Sequence, residues 1–251
     1  MLLLVGLPIA MALESFDSAT LLSLVKDTQV YREHRLATQP PTIPSSAYEK
    51  AASGAVATGL SGQIGWGVGI FPVEIRELYA ALNEEESHVG LSPVNYTKII
   101  QGSPCSNNRQ VMMHLPIPML SDRWWVTTQG TNPSLREIGQ GQMAELTWQS
   151  VNDKTKFTLD ETSQTYTEGS VWVTESTGAW LLIRLSDTHT LGEYYAWSDP
   201  GGYIPTGLAS SLSASGIEET FKAMEHFALN NTELCTYNWP EPLCSTLFVL
   251  S

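Results

Sequence analysis

The chain has 251 residues, 42% of them hydrophobic and only 16% charged, which is enough apolar material for a packed core and excludes a disordered chain. Thirteen basic residues against twenty-six acidic ones leave a formal charge of -13, which repels phosphate backbones and excludes nucleic acid as a partner class. No apolar run reaches the roughly 20 residues that a membrane-spanning helix needs.

Residues 1–12 read as a short or truncated signal peptide. Ala10-Met11-Ala12 fits the small-x-small cleavage pattern, although no Lys or Arg precedes the apolar run. The alternative is an apolar segment docked on the domain. A signal would make the protein periplasmic or secreted; otherwise it is cytoplasmic. Residues 13–46 follow as an N-terminal helix, with Phe16, Leu21, Leu24 and Val25 at helical spacing, and a linker whose three prolines lie in QPPTIPSS. This part reads as an appendage.

AYEKAASGAVATGL then predicts a short helix feeding a strand, and GQIGWGVGIF alternates with period two. Ile64, Trp66, Val68 and Ile70 share one face. Gly65, Gly67 and Gly69 leave the other bare, which lets a second element approach closely. Val73, Ile75, Leu78, Tyr79 and Leu82 mark an amphipathic helix, and Glu84-Glu85-Glu86-Ser87-His88 reads as its solvated end rather than a metal cluster. Seven β-rich segments follow between Val94 and Ser198, as an antiparallel meander with turns at Ser176-Thr177-Gly178 and Ser186–His189.

After the last strand, Asp199-Pro200-Gly201-Gly202 suits a turn, and Pro205 fits the first turn of a helix. Leu208, Leu212, Ile217, Phe221, Met224 and Phe227 give that long helix one apolar stripe, with a kink or break expected at Ser215-Gly216. A single helix across an antiparallel sheet covers the sheet's apolar face. Small residues on its first half, opposite an aromatic sheet, favour a hollow interior over a solid one.

Two motifs in this order, Ser121-Asp122-Arg123 after a Pro-containing strand end and Tyr194 to Pro205 with its Asp-Pro-Gly-Gly-x-Ile-Pro core, resemble the START (StAR-related lipid transfer) domains of the START-like, or SRPBCC, superfamily. The resemblance spans Ala47 to Leu229, so residues 47–229 are expected to be a START-like domain and 230–251 a C-terminal tail. It implies an α+β helix-grip fold, a curved antiparallel sheet wrapped around a long C-terminal helix, with a tunnel for a hydrophobic or lipid-like ligand. The implied protein is a monomeric binder or carrier without a cofactor. The same superfamily contains cyclases and hydrolases, so an enzyme acting on a small aromatic or polyketide-like substrate is the alternative.

The candidate ligand-binding residues are Arg123, Trp125, Trp148, Trp180, Tyr195, Trp197, Leu208 and Leu212. A buried arginine could hold an anionic headgroup; its other reading is a salt bridge to Asp122 or Asp199. Only one of Tyr194 and Tyr195 can face inward. For the enzyme alternative, Tyr166, His114 and Glu145 are the groups that could be recruited, while no GxSxG elbow, HxH or HExxH spacing occurs. Gly139 to Ala144 fits GxGxxA but precedes a strand, so no dinucleotide site is implied. Cys235 and Cys244, nine positions apart, are the expected disulfide, with Cys105 left over; three reduced thiols are the alternative. No metal site is indicated.

Overall fold

The computed structural model describes residues 16–202, 206–230 and 235–240, and for 206–215 the backbone only. The chain opens with helices α1 (Ser18–Asp27), α2 (Gln29–Arg32) and α3 (Ser45–Ala52), continues into strands β1 (Ala57–Ser61) and β2 (Ile64–Phe71), and then helix α4 (Ile75–Leu82). Strands β3 (Tyr96–Gln101), β4 (Arg109–Leu115) and β5 (Arg123–Thr131) precede helix α5 (Pro133–Ile138). Next come β6 (Met143–Ser150), helix α6 (Glu161–Thr165), the two-residue β7 (Val171–Trp172), β8 (Glu175–Arg184), β9 (Thr190–Asp199) and helix α7 (Thr206–Asn230).

Among the described residues all strands join one sheet in the order β1-β2-β9-β8-β6-β5-β4-β3, with β7 beside β5. The last strand closes against the second, so the meander curls back on its own start. Antiparallel partners share a face, and the register therefore sorts the side chains. Gly67, Tyr194, Trp180, Leu146 and Thr131 lie in one row across the sheet, on the face toward α7. The bare glycine face of β2 is where α7 lands: a Cβ on Gly67 would sit 2.5 Å from Ile217, and one on Gly69 2.9 Å from Phe221.

Three expectations are corrected here. Ser176-Thr177-Gly178 is not a turn but part of β8, which pairs with β9 from Glu175 to Arg184. Gly178 instead makes room for a neighbour, since a Cβ there would meet the Trp148 ring at 2.1 Å. Helix α7 runs through Ser215-Gly216 without interruption.

The N-terminal segment is likewise no appendage. Leu21, Leu24, Ala51 and Ala52 are buried against Trp66, Val68, Leu181 and Ile183, on the face of the sheet opposite α7. Two ion pairs hold the chain there. Arg32 donates from both terminal nitrogens to Glu193 (2.6 and 2.7 Å), and Tyr48 donates to the same carboxylate at 2.9 Å. Arg35 donates to Glu145 at 2.7 Å, as do the Leu36 backbone N–H and Asn132. Burial alone would push the Glu193 carboxyl up; the Arg32 guanidinium more than offsets this and holds it below the ordinary range.

The cysteine expectation is corrected too. Cys105 pairs with Cys235, with their Cα atoms 5.8 Å apart across 130 residues of sequence. Cys244 lies outside the described residues, as does the candidate signal peptide at residues 1–12. The bridge ties the loop between β3 and β4 to the C-terminal tail. Beyond it, Tyr237 and Trp239 stand edge-on to Tyr79, at 4.9 and 5.5 Å, and the Arg136 guanidinium lies 5.2 Å from the Trp239 ring.

Candidate ligand-binding site

The space between the inner face of the sheet and α7 has two ends of different character. At one end the second half of α7 is packed solid. Phe221 stacks on Phe71 with centroids 5.2 Å apart and lies 4.9 Å from Trp180; Ile217, Met224 and Phe227 are buried beside Leu78, Leu82 and Leu182. His88 seals this end. Its ring is edge-on to Phe227 at 5.2 Å and its Nε2–H donates to the Ala81 carbonyl at 2.7 Å. Burial lowers its pKa to about 4, so the imidazole is neutral.

The other end is different. Trp125 and Met113 are cross-strand partners on the inner face, as are Ile99 and Val111, and Trp148 stands on the same face beside Gly178. Trp125, Met113, Ile99 and Trp148 are only half-buried although they point into the concavity. Tyr194 bridges the two ends, 4.8 Å from Trp180 and 5.6 Å from Trp148. Its hydroxyl has no hydrogen-bond partner among the described residues, and burial pushes its pKa up to about 12. The polar groups on this face are small: Thr127 and Gln129 are buried and bonded to each other at 3.0 Å, and Thr97, Ser150, Ser176 and Ser198 share the face.

Trp125, Trp148 and Trp180 stand on the concave face of the sheet, Trp180 within its packed end. Tyr195 and Trp197 do not. The register puts Tyr194 inside, so Tyr195 and Trp197 point out through the opposite face, where the Tyr195 hydroxyl donates to the Thr38 carbonyl (3.2 Å) and the Trp197 indole to Gln63 (3.2 Å). Leu208 and Leu212 fall on the first half of α7, and their side chains lie outside the described residues.

Arg123 is buried but holds neither Asp122 nor Asp199. Its Nε donates to the Pro200 carbonyl at 2.7 Å, its Nη2 to the Gly201 carbonyl at 3.1 Å and its Nη1 to the Ser121 carbonyl. The guanidinium therefore clamps the β4–β5 loop to the turn that feeds α7. That turn needs glycine, since Gly201 and Gly202 have φ of +60° and +62°.

A second buried arginine was not foreseen. Arg109, fully buried on β4, donates to Glu85 through Nε at 3.0 Å and through Nη2, and also to Asn83 at 3.0 Å and the Ser106 carbonyl at 2.8 Å. The run Glu84 to His88 is accordingly not a solvated helix end, because Glu85 is buried as this arginine's partner. Burial raises the Glu85 pKa, and Arg109 opposes the rise. Strand parity was the available signal: Arg109 shares a face with Val111 and Met113.

The three groups considered for catalysis do not meet in the interior. Glu145 is spent on Arg35 and Asn132 on the outer face. His114 and Tyr166 touch each other at 5.2 Å, also outside, with His114 bonded to Asn95 at 2.6 Å. Among the described residues one three-donor cluster of metal-binding type exists, Glu84 with Cys105 and Cys235, and its two sulfurs are joined to each other.

Comparison with known proteins agrees with the architecture. No family model matches the sequence, and no curated protein matches it. The fold is similar to that of the STAR-related lipid transfer protein from Xanthomonas axonopodis (TM-score 0.53, 16% identity, covering 70% of this chain and 93% of that one). It is similar to human StAR-related lipid transfer protein 5 (TM-score 0.54, 14% identity, 85% and 98% coverage) and to human STARD10 (TM-score 0.51, 17% identity, 78% and 82% coverage). The chain has the α+β helix-grip fold of START-like proteins.

Proposed function

We propose that this protein binds a hydrophobic, lipid-like ligand between the inner face of its sheet and the first half of α7, and sequesters or carries it without chemical change. The observation that carries the reading is the partial exposure that Trp125, Trp148, Met113 and Ile99 retain on the concave face, while the opposite end is closed. Aromatic faces and a thioether accept acyl chains and rings alike. Two proteins of the same fold are described as StAR-related lipid transfer proteins, which supports the ligand class.

Arg123 acts in this reading as a hinge clamp: it fixes the turn before α7, so the covering helix can shift while its root stays in place. Met119 stands fully exposed at the tip of the loop that Arg123 anchors, 99% accessible and with φ of +66°, and serves as the contact to a ligand-bearing surface. Among the described residues no helix is long and apolar enough to cross a membrane. The Cys105–Cys235 bridge supports export to the periplasm or the exterior. The protein works as a monomer, and its charge of -13 opposes lasting attachment to anionic lipid.

Native mass spectrometry and organic extraction of the purified full chain test this. An apolar small molecule released on denaturation, or saturable uptake of a fluorescent fatty acid, is expected. A ligand-free protein that takes up neither a fluorescent fatty acid nor a fluorescent sterol overturns the reading.

A further inference from the structure

The outer face of the sheet carries a cavity of about 240 Å³, whose lining shares only Trp148 with the lipid reading. Its position follows from how that face is covered. One stretch, around Trp66, Leu181 and Leu191, lies under α1 and α3. Another, around Met112, Trp124 and Val126, lies under Phe157, Tyr166 and Trp172. Between them three adjacent strands, β5, β6 and β8, present hydroxyl and amide side chains outward: Thr128, Thr147, Gln149 and Thr177.

Two walls rise from this floor. One is the strap Leu36–Thr38, pinned by the Leu36 N–H on Glu145 and by the Tyr195 hydroxyl on the Thr38 carbonyl. The other is the Asn107-Asn108 turn, where the Asn107 side-chain oxygen accepts from the Thr131 N–H at 2.8 Å and Asn108 takes a left-handed φ of +60°. Gly130 keeps the floor low between them.

The chemistry of the lining is uniform. None of its fourteen residues is charged, in a chain with thirty-nine basic and acidic residues. Thr177 and Thr147 direct their hydroxyl hydrogens to the backbone carbonyls of Trp148 (3.2 Å) and Gly130 (3.4 Å), which leaves oxygen lone pairs facing the cavity. The side chains of Thr128, Gln149 and Asn108 have no hydrogen-bond partner among the described residues. Tyr195 borders the same lining but is itself buried. Arg35 and Glu145, beside the strap, are paired with each other.

We propose that this cavity binds a neutral polyhydroxylated ring of monosaccharide size. Alternating donors and acceptors on Thr, Asn and Gln match ring hydroxyls. An anion finds no cation here and a cation no free carboxylate. The volume holds one such ring and not two. The site lies across the sheet from the lipid space, so it stands whether or not the lipid reading does.

The test is a titration of the isotope-labelled full chain with methyl α-glucopyranoside, methyl α-galactopyranoside and myo-inositol, read by amide chemical shifts. Saturable shifts are expected at Leu36–Thr38, Thr128, Thr147 and Thr177 with at least one of the three. Thr128→Phe fills the cavity and abolishes them. Thr128→Val, which keeps the shape and removes one hydroxyl, weakens binding about threefold to tenfold. No saturable shift with any of the three probes overturns the proposal. So do shifts that survive Thr128→Phe, or binding that a fatty acid displaces, which would place the ring in the lipid space.

Discussion

The two ends of the sheet–helix interior are built from the same residue types and used differently. Around Phe71, Trp180 and Phe221 the aromatic rings touch one another and leave no room. Around Trp125 and Trp148 equally large rings point into the same concavity and stay half-open. The difference lies in the partner, not in the sheet. Opposite the closed end, α7 carries Ile217, Phe221, Met224 and Phe227; its first half is rich in Ser, Ala and Gly, from Ala209 to Gly216.

This contrast can be broken most strongly at its closed end. Phe221→Ala removes a buried ring that three aromatics contact and should cost about 3–5 kcal/mol in urea unfolding. A loss near 1 kcal/mol would mean that this end is looser than it looks.

Acid tests the seal on the same end. The folded-state pKa of His88 is lowered from 6.5 to about 4 by burial. Between these values the unfolded chain binds a proton that the folded chain refuses, so stability falls as pH drops from 6.5 toward 4, by ~3 kcal/mol for this group. His88→Gln should flatten the stability–pH curve over that window relative to the parent protein; equal slopes would contradict a buried neutral imidazole.

At the open end stability and function should separate. Trp148→Leu is expected to cost only about 1 kcal/mol of stability, because the ring is only partly buried, while fatty-acid affinity drops about tenfold. If both change little, the open end is not the binding surface. The smallest stability effect is expected outside the interior: Met119→Ser should leave folding within about 0.5 kcal/mol and slow ligand transfer between vesicles severalfold.

Much of this was legible in the sequence for a definite reason. Gly65, Gly67 and Gly69 alternate with large apolar residues, and a strand face without side chains announces a close neighbour, which α7 is. Tyr194 and Tyr195 could not be sorted because β9 is covered on both sides. Glu193 and Leu191, facing out, are as buried as Gly192, facing in, so alternation carries no signal there.

Burial of Arg123 was readable from its apolar surroundings; its partners were not, since the carbonyls of Ser121, Pro200 and Gly201 exist whatever the side chains are. Cys105 and Cys235 meet only because β3–β4 and the tail pack beside Glu84, a proximity that no sequence spacing encodes. Likewise Arg32 and Glu193 are 161 positions apart, and the strap they hold looked like a linker.

The most direct test uses the indole N–H signals of the labelled protein with a spin-labelled fatty acid. Trp125 and Trp148 face the open end, whereas Trp66 and Trp197 point through the other side of the sheet. A ligand held as proposed broadens the first pair and spares the second. Broadening of Trp66 and Trp197 with Trp125 and Trp148 untouched would contradict the account.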